Sequence, residues 1–88
     1  MNRDEFLKAV KEDPYQIENA EETFKKDKEI VLIAVTQNAS TLEYAHSSLK
    51  KDKEIALSAV QQNGFAIKFV DDSLKKDPDI LAIANNEE

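Results

Sequence analysis

The sequence predicts an all-α fold: a stack of short antiparallel helical hairpins, α-solenoid-like, with about seven helices in three and a half repeats of 25 residues. Three observations predict it. Lys25-Lys26-Asp27-Lys28-Glu29 returns as Lys50-Lys51-Asp52-Lys53-Glu54 and, nearly, as Lys75-Lys76-Asp77-Pro78-Asp79, each time 25 residues on. Between these marks the apolar residues follow a helical period. The marks themselves carry residues that end one helix and start the next. Self-similarity at such a period belongs to units that stack because none buries its apolar face alone.

The register needs no gap, and 25–38 differs from 50–63 at three of fourteen positions. The apolar columns in the first half of each unit are Leu7, Leu32, Leu57 and Ala82; Ala9, Ala34, Ala59 and Ala84; and Val10, Val35 and Val60. In the second half they are Ile17, Leu42 and Ile67; Ala20, Ala45 and Val70; and Phe24, Leu49 and Leu74. Leu57, in a central column, is expected to be core, its truncation to alanine costing about 2–5 kcal/mol. The units are 2–26, 27–51 and 52–76 with a half unit 77–88, all within one domain, 1–88.

Helices are expected over 3–12, 15–24, 28–37, 40–49, 53–62, 65–74 and 78–85. Ile30, Val31, Ala34 and Val35 fall at i, i+1, i+4 and i+5, one broad helical face. Leu42, Ala45 and Leu49 fall at i, i+3 and i+7, a face of a second helix. Asp27 and Asp52 suit N-caps, with Glu29 and Glu54 in the first turn, and the paired lysines suit the C-terminal end of the preceding helix. Asp77-Pro78 repeats the statement with proline at the first helical position. Inside the unit the turn is Asp13-Pro14, Asn38-Ala39 or Asn63-Gly64. Gly64 suits a left-handed C-cap, Asp13-Pro14 suits an N-cap and first residue, and Ser40 with Glu43 has capping-box spacing. Which residue caps which helix is open among these. At the ends, Glu5 and Lys8 replace the isoleucines of Ile30 and Ile33, Asn85 interrupts the valine column, and Asn86-Glu87-Glu88 is polar. These substitutions read as lids on an array complete in itself.

Eighty-eight residues with eighteen acids and twelve bases give a net charge of −6. That balance speaks against direct binding to a nucleic-acid backbone or an anionic membrane surface. There is no cysteine, hence no disulfide framework. The acid-rich start, Met1 to Leu7, has no signal-peptide core, and no window reaches the length of a membrane span. A cytoplasmic location is expected.

The run Asp52-Lys53-Glu54-Ile55-Ala56-Leu57-Ser58-Ala59-Val60-Gln61-Gln62-Asn63-Gly64, followed by an apolar residue and a second helix ending in Leu74, resembles the tandem repeats of the domain of unknown function 4116 family. The resemblance is strong over 27–74 and looser over 4–24. It implies tandem helical repeats and carries no assigned activity or catalytic residue. The chain departs from that family with Asp13-Pro14 and Asn38-Ala39 where Asn-Gly is usual.

Candidates for chemistry are few. His46, the single histidine, is followed by Ser47 and Ser48, but adjacent helical residues do not face each other; it shares the column of Glu21 and Asp71, so a solvated polar position is expected. Glu18, Glu21 and Glu22 would share one face of the second helix. A calcium ion needs six to eight oxygens and a rigid loop, which this stretch does not offer. A lone glycine cannot build a phosphate loop. No catalytic, cofactor-binding or metal-ligating residue is assigned, and no cofactor is expected. Columns that alternate apolar with polar residues are better candidates, because a fully buried column does not tolerate Asn, Ser or Lys. They mark Ile33, Tyr44, Phe65 and Phe69 as a protein-contact patch, against the alternative that each packs between repeats.

The function expected is therefore that of a non-enzymatic module binding another protein, with no direct nucleic-acid binding, no membrane, and a monomeric or weakly self-associating state. A small acidic inhibitor that imitates nucleic acid is the second reading, and a purely structural repeat domain the third.

Overall fold

The computed structural model of the chain describes residues 2–85, and every element among them is helical. The first set is α1 (Arg3–Glu12), the 3-10 helix η1 (Pro14–Asn19) and α2 (Glu22–Lys25). The second is α3 (Lys28–Gln37), η2 (Ala39–Tyr44) and α4 (Ser47–Lys50); the third is α5 (Lys53–Gln62), η3 (Gly64–Phe69) and α6 (Asp72–Lys75). The last is α7 (Pro78–Asn85). Asn86-Glu87-Glu88 and the side chain of Asn85, read above as part of a lid, lie outside the described residues.

Ten helices thus stand among the described residues where seven were expected. The difference lies in the second half of each unit. The helices expected over 15–24, 40–49 and 65–74 each split into a six-residue 3-10 helix and a four-residue α-helix. The cause is visible in the spacing of inward residues. Ala39, Leu42 and Ala45 recur every third position, the period of a 3-10 helix, in which i and i+3 lie one above the other. Two extended residues then break the chain: Ala45 at φ −71°, ψ 152° and His46 at φ −60°, ψ 148°. The break frees the His46 N–H to donate to Lys25 O at 3.0 Å, and the Asp71 N–H does the same to Lys50 O. The carbonyl end of one short helix is thereby satisfied by the start of the next.

Caps at the start of the long helices follow the sequence reading. Asp27 and Asp52 accept from the N–H of Ile30 and Ile55, each at 3.2 Å, and Asp77 accepts from Asp79 N–H at 2.9 Å. Lys25, Lys50 and Lys75 close the short helices. The turn inside the unit is resolved in favour of the Asx residue. Asp13, Asn38 and Asn63 each end the long helix through their own N–H, bonded to Ala9, Ala34 and Ala59 O, and start the 3-10 helix by accepting from the N–H two residues on. Gly64 is not a left-handed cap, since no described residue has positive φ. Ser40 is already the second residue of η2, so the Ser40–Glu43 capping box does not form. A capping box does form at Asn2 and Glu5.

The long helices make the main layer: α3 packs on α1 and α5, and α5 packs on α7. Each 3-10 helix contacts its own long helix and the next one, and each short helix lies against the long helix that follows it. Ile30, Ile55, Ile80, Val10, Val35, Val60, Ala34 and Ala59 are fully buried. Burying each isoleucine or valine side chain contributes about 1.5–3 kcal/mol. Glu5 shares the column of Ile30, Ile55 and Ile80, but it is exposed and serves in the cap instead. Leu57 departs from expectation. It is half-buried, as are Leu7 and Leu32, because this column sits on the flank of the long helix while Ile55, Ala56, Ala59 and Val60 point inward.

A ladder of ions also joins the units. Arg3 Nε reaches Asp27 at 2.6 Å; Lys28 Nζ reaches Asp52 at 3.1 Å and Glu54 at 2.9 Å; Lys53 Nζ reaches Asp77 at 3.3 Å and Asp79 at 2.8 Å. Each rung places a first-turn cation on the N-cap and second helical residue of the next long helix. Pro78 occupies the cation column of the last unit. The Arg3 guanidinium, helped by the Ile30 N–H and opposed by burial, holds the Asp27 carboxyl below the usual carboxylate range. Burial raises Asp52, but the Lys28 ammonium and the Ile55 N–H outweigh it and lower that carboxyl as well.

Candidate interaction surface

The three 3-10 helices lie in contact, η1 on η2 and η2 on η3, and form a row along one side of the molecule. Three residues per turn sorts each of them into ridges. The inward ridge is Ala39 and Leu42 in η2, both buried. The outward ridge is Tyr15 and Glu18 in η1, Ser40 and Glu43 in η2, and Phe65 and Lys68 in η3. The flanking ridge is Gln16 and Asn19, Thr41 and Tyr44, Ala66 and Phe69. Register on these ridges is set by the Asx turn, which fixes the second residue of each 3-10 helix on the outer side.

Phe65 is 78% exposed and Tyr15 44% exposed, the exposed large apolar side chains among the described residues. A phenylalanine so placed is held there by its own backbone, since its N–H is bonded to Asn63 Oδ1 at 3.0 Å. Beside it lies a notch of about 120 Å³, walled by Ser40, Asn63, Phe65, Ala66, Lys68 and Phe69. Lys68 carries the charge at this notch, its Nζ 5.2 Å from the centre of the Phe69 ring. Between the first and second units the corresponding place holds a side chain. The Tyr15 ring meets Tyr44 edge to face at 6.4 Å, its hydroxyl lies 3.2 Å from Ser40 Oγ, and Asn38 Nδ2 donates to its oxygen at 3.0 Å. Partial burial, with the Glu18 and Glu43 carboxylates nearby, pushes the Tyr44 phenol up.

Of the four residues marked from sequence, Phe65 and Phe69 meet at the notch. Tyr44 belongs to the same row one unit earlier, turned toward Tyr15. Ile33 stands apart on α3, half-buried against the core. Tyr15 is the residue the sequence reading left out of the patch, although it shares the Phe65 column. The signal lay in combining that column with the turn: the second residue after each Asx points outward.

The other candidates fall to structural roles. His46 is half-buried rather than solvated, and its Nδ1 accepts from the Ser48 N–H at 3.1 Å as the N-cap of α4. Asp71 does the same for α6 through the Ser73 N–H. Glu18, Glu21 and Glu22 do not share one helix, because η1 ends at Asn19 and α2 begins at Glu22. No group of three or more His, Asp or Glu among the described residues is placed to hold a metal ion. A second depression, of about 230 Å³, is lined by Phe6, Gln16, Asn19, Ala20, Glu21 and Phe24 at the first unit, where the Phe6 and Phe24 rings stack at 4.6 Å. No described helix is long and apolar enough to cross a membrane.

Fold and surface together define an all-α protein of serially packed helices with an aromatic outer row. The chain belongs to the family described as Domain of unknown function (DUF4116), whose model matches residues 2–50 and 52–86. No curated protein and no solved structure matches it.

Proposed function

We propose that the chain is a non-enzymatic, α-solenoid-like repeat module that holds another protein against its row of 3-10 helices. The exposure of Phe65 carries this reading. A phenylalanine fixed outward by an Asx turn, beside a notch, has no stabilising task in the free chain, whereas buried aromatic anchors dominate binding at protein interfaces. Serial contact of like elements across the units 2–26, 27–51, 52–76 and 77–88 supports the solenoid description, as do overall extents of 38 × 23 × 16 Å. A stack of this kind offers its partner a continuous side built from the same position of successive repeats. The partner is a protein, met by a monomer or weakly associating chain in the cytoplasm, with no role for nucleic acid or membrane.

An acidic decoy for nucleic-acid-binding proteins is less well supported. Asp27, Asp52, Asp77, Glu29, Glu54 and Asp79 are each paired with a cation in the ladder, so their charge is interspersed rather than gathered on one face. The deciding experiment is affinity capture from the native host with the wild-type chain and with Phe65→Ser. Loss of the captured protein at unchanged thermal stability is expected. Equal capture by both chains would remove the row from the binding site.

A further inference from the structure

The notch at Phe65 has an internal template. Moving back 25 residues, its walls Ser40, Asn63, Phe65, Ala66, Lys68 and Phe69 become Tyr15, Asn38, Ser40, Thr41, Glu43 and Tyr44. In that earlier copy the Tyr15 ring meets Tyr44 edge to face, and its hydroxyl reaches Asn38 Nδ2 and Ser40 Oγ. Ser40 occupies the Tyr15 column in the later copy and is too short to do the same. The opening of about 120 Å³ is therefore the place of an absent phenol ring. It is of the order of the apolar cavity, about 150 Å³, that takes up benzene in another protein.

From this correspondence we infer that the notch receives a tyrosine side chain of the partner protein. The inference rests on the interaction-module reading and names the anchor that module takes. Each wall has a counterpart in the template. Phe69 offers its ring as Tyr44 does to Tyr15. Asn63 has its Oδ1 committed to the Phe65 N–H, as Asn38 commits its own to the Ser40 N–H, leaving the Nδ2 donors for the phenol oxygen. Phe65, in place of the small Ser40 of the template, adds an exposed apolar wall toward the partner. One exchange sets the preference of the rim: Lys68 stands where the template has Glu43. A tyrosine flanked by carboxylates fits this rim, and a tyrosine flanked by lysines does not.

The test is a ¹H–¹⁵N titration of the whole chain with p-cresol, the tyrosine side-chain analogue, and with toluene as its partner lacking the hydroxyl. Saturable shifts confined to residues 40 and 63–69 are expected, with p-cresol binding the tighter. Ser40→Tyr should fill the notch in cis and weaken p-cresol by about tenfold or more. Absent or scattered shifts, or a folded Ser40→Tyr chain that binds p-cresol as well as wild type does, would overturn the inference. Because Ser40→Tyr could misfold, Lys68→Glu at an exposed position gives a second measurement. Wild type should prefer a capped Asp-Tyr-Asp peptide to a capped Lys-Tyr-Lys peptide, and Lys68→Glu should reverse that order. Binding of p-cresol without binding of either peptide would make this a small-molecule site and sink the partner tyrosine. If p-cresol fails while Phe65→Ser still abolishes partner capture, the module stands and only its anchor is wrong.

Discussion

The Tyr15 hydroxyl lies 3.2 Å from Ser40 Oγ, the residue that takes its own place one unit later, and accepts from Asn38 Nδ2 at 3.0 Å. One phenol thus ties the start of η1 to the start of η2. Tyr15→Phe keeps the ring against Tyr44 and deletes these bonds. A loss of about 0.5–1.5 kcal/mol is expected, the usual net worth of such hydrogen bonds. Urea unfolding of the two chains at equal slope measures it. No change in midpoint would mean that water replaces the hydroxyl without cost.

Two residues on α5 separate burial from mere membership of an apolar column. Ile55 is fully buried and Leu57 half-buried. Ile55→Ala should cost about 2–5 kcal/mol, while Leu57→Ala, with part of its side chain already in water, should cost about 1–2. Equal losses from the two substitutions would contradict the inward placement of Ile55.

These two positions also mark how far the sequence could be read. The long helices, their Asp caps, the lysine ends and the valine and isoleucine columns follow from local chemistry repeated at a fixed period, and they stand where that chemistry places them. The second half of the unit was harder. Ala39, Leu42 and Ala45 obey a period of three, yet Leu42, Ala45 and Leu49 also satisfy one helical face, so a single α-helix fits the pattern as well as a split one. The extended pair decides for the split, Ala45-His46 here and Ala20-Glu21 in the first unit, and the His46 N–H to Lys25 O bond that the break allows is a long-range contact no local spacing announces. The ion ladder was hidden for a related reason. Lys28 looks like a member of a charged pentapeptide until the stacking of α3 on α5 brings it to Asp52 and Glu54. At the surface, alternation of polar and apolar residues found Phe65 and Phe69 but could not set Ile33 apart, because exposure on a flank and exposure on an outer ridge leave the same mark in a column.

The ladder makes stability depend on acid. Asp27 and Asp52 have folded-state carboxyls below their ordinary value, so the folded chain binds fewer protons there than the unfolded chain does. Their contribution is therefore full above the unfolded carboxylate pKa of about 3.9 and fades as pH falls through the lower folded values. Unfolding free energy should hold steady from pH 7 to about pH 5 and decline below about pH 4. Asparagine keeps the N-cap bond but not the charge, so Asp27→Asn with Asp52→Asn should flatten the decline at little cost to the helices. Added salt should weaken the wild type more than the double variant. An unchanged acid slope in the double variant would place the acid sensitivity in other carboxylates.

Gly64 gives the sharpest test of the turn. A left-handed cap would need a glycine there, and alanine would then be destabilising. The backbone at Gly64 is instead the first residue of η3 with no positive φ, and the same position holds Ala39 in η2 and Pro14 in η1. Ala39 is 98% buried (2% exposed) without strain on its φ, so the unit has already accepted a methyl group at this point. Gly64→Ala should therefore stabilise the chain by about 0.4–1 kcal/mol, through the lower entropy of the unfolded state. Thermal and urea unfolding should both move upward. A fall of about 1 kcal/mol or more would mean that the third unit, unlike the second, has no room for a methyl group between η3 and the helices it packs on.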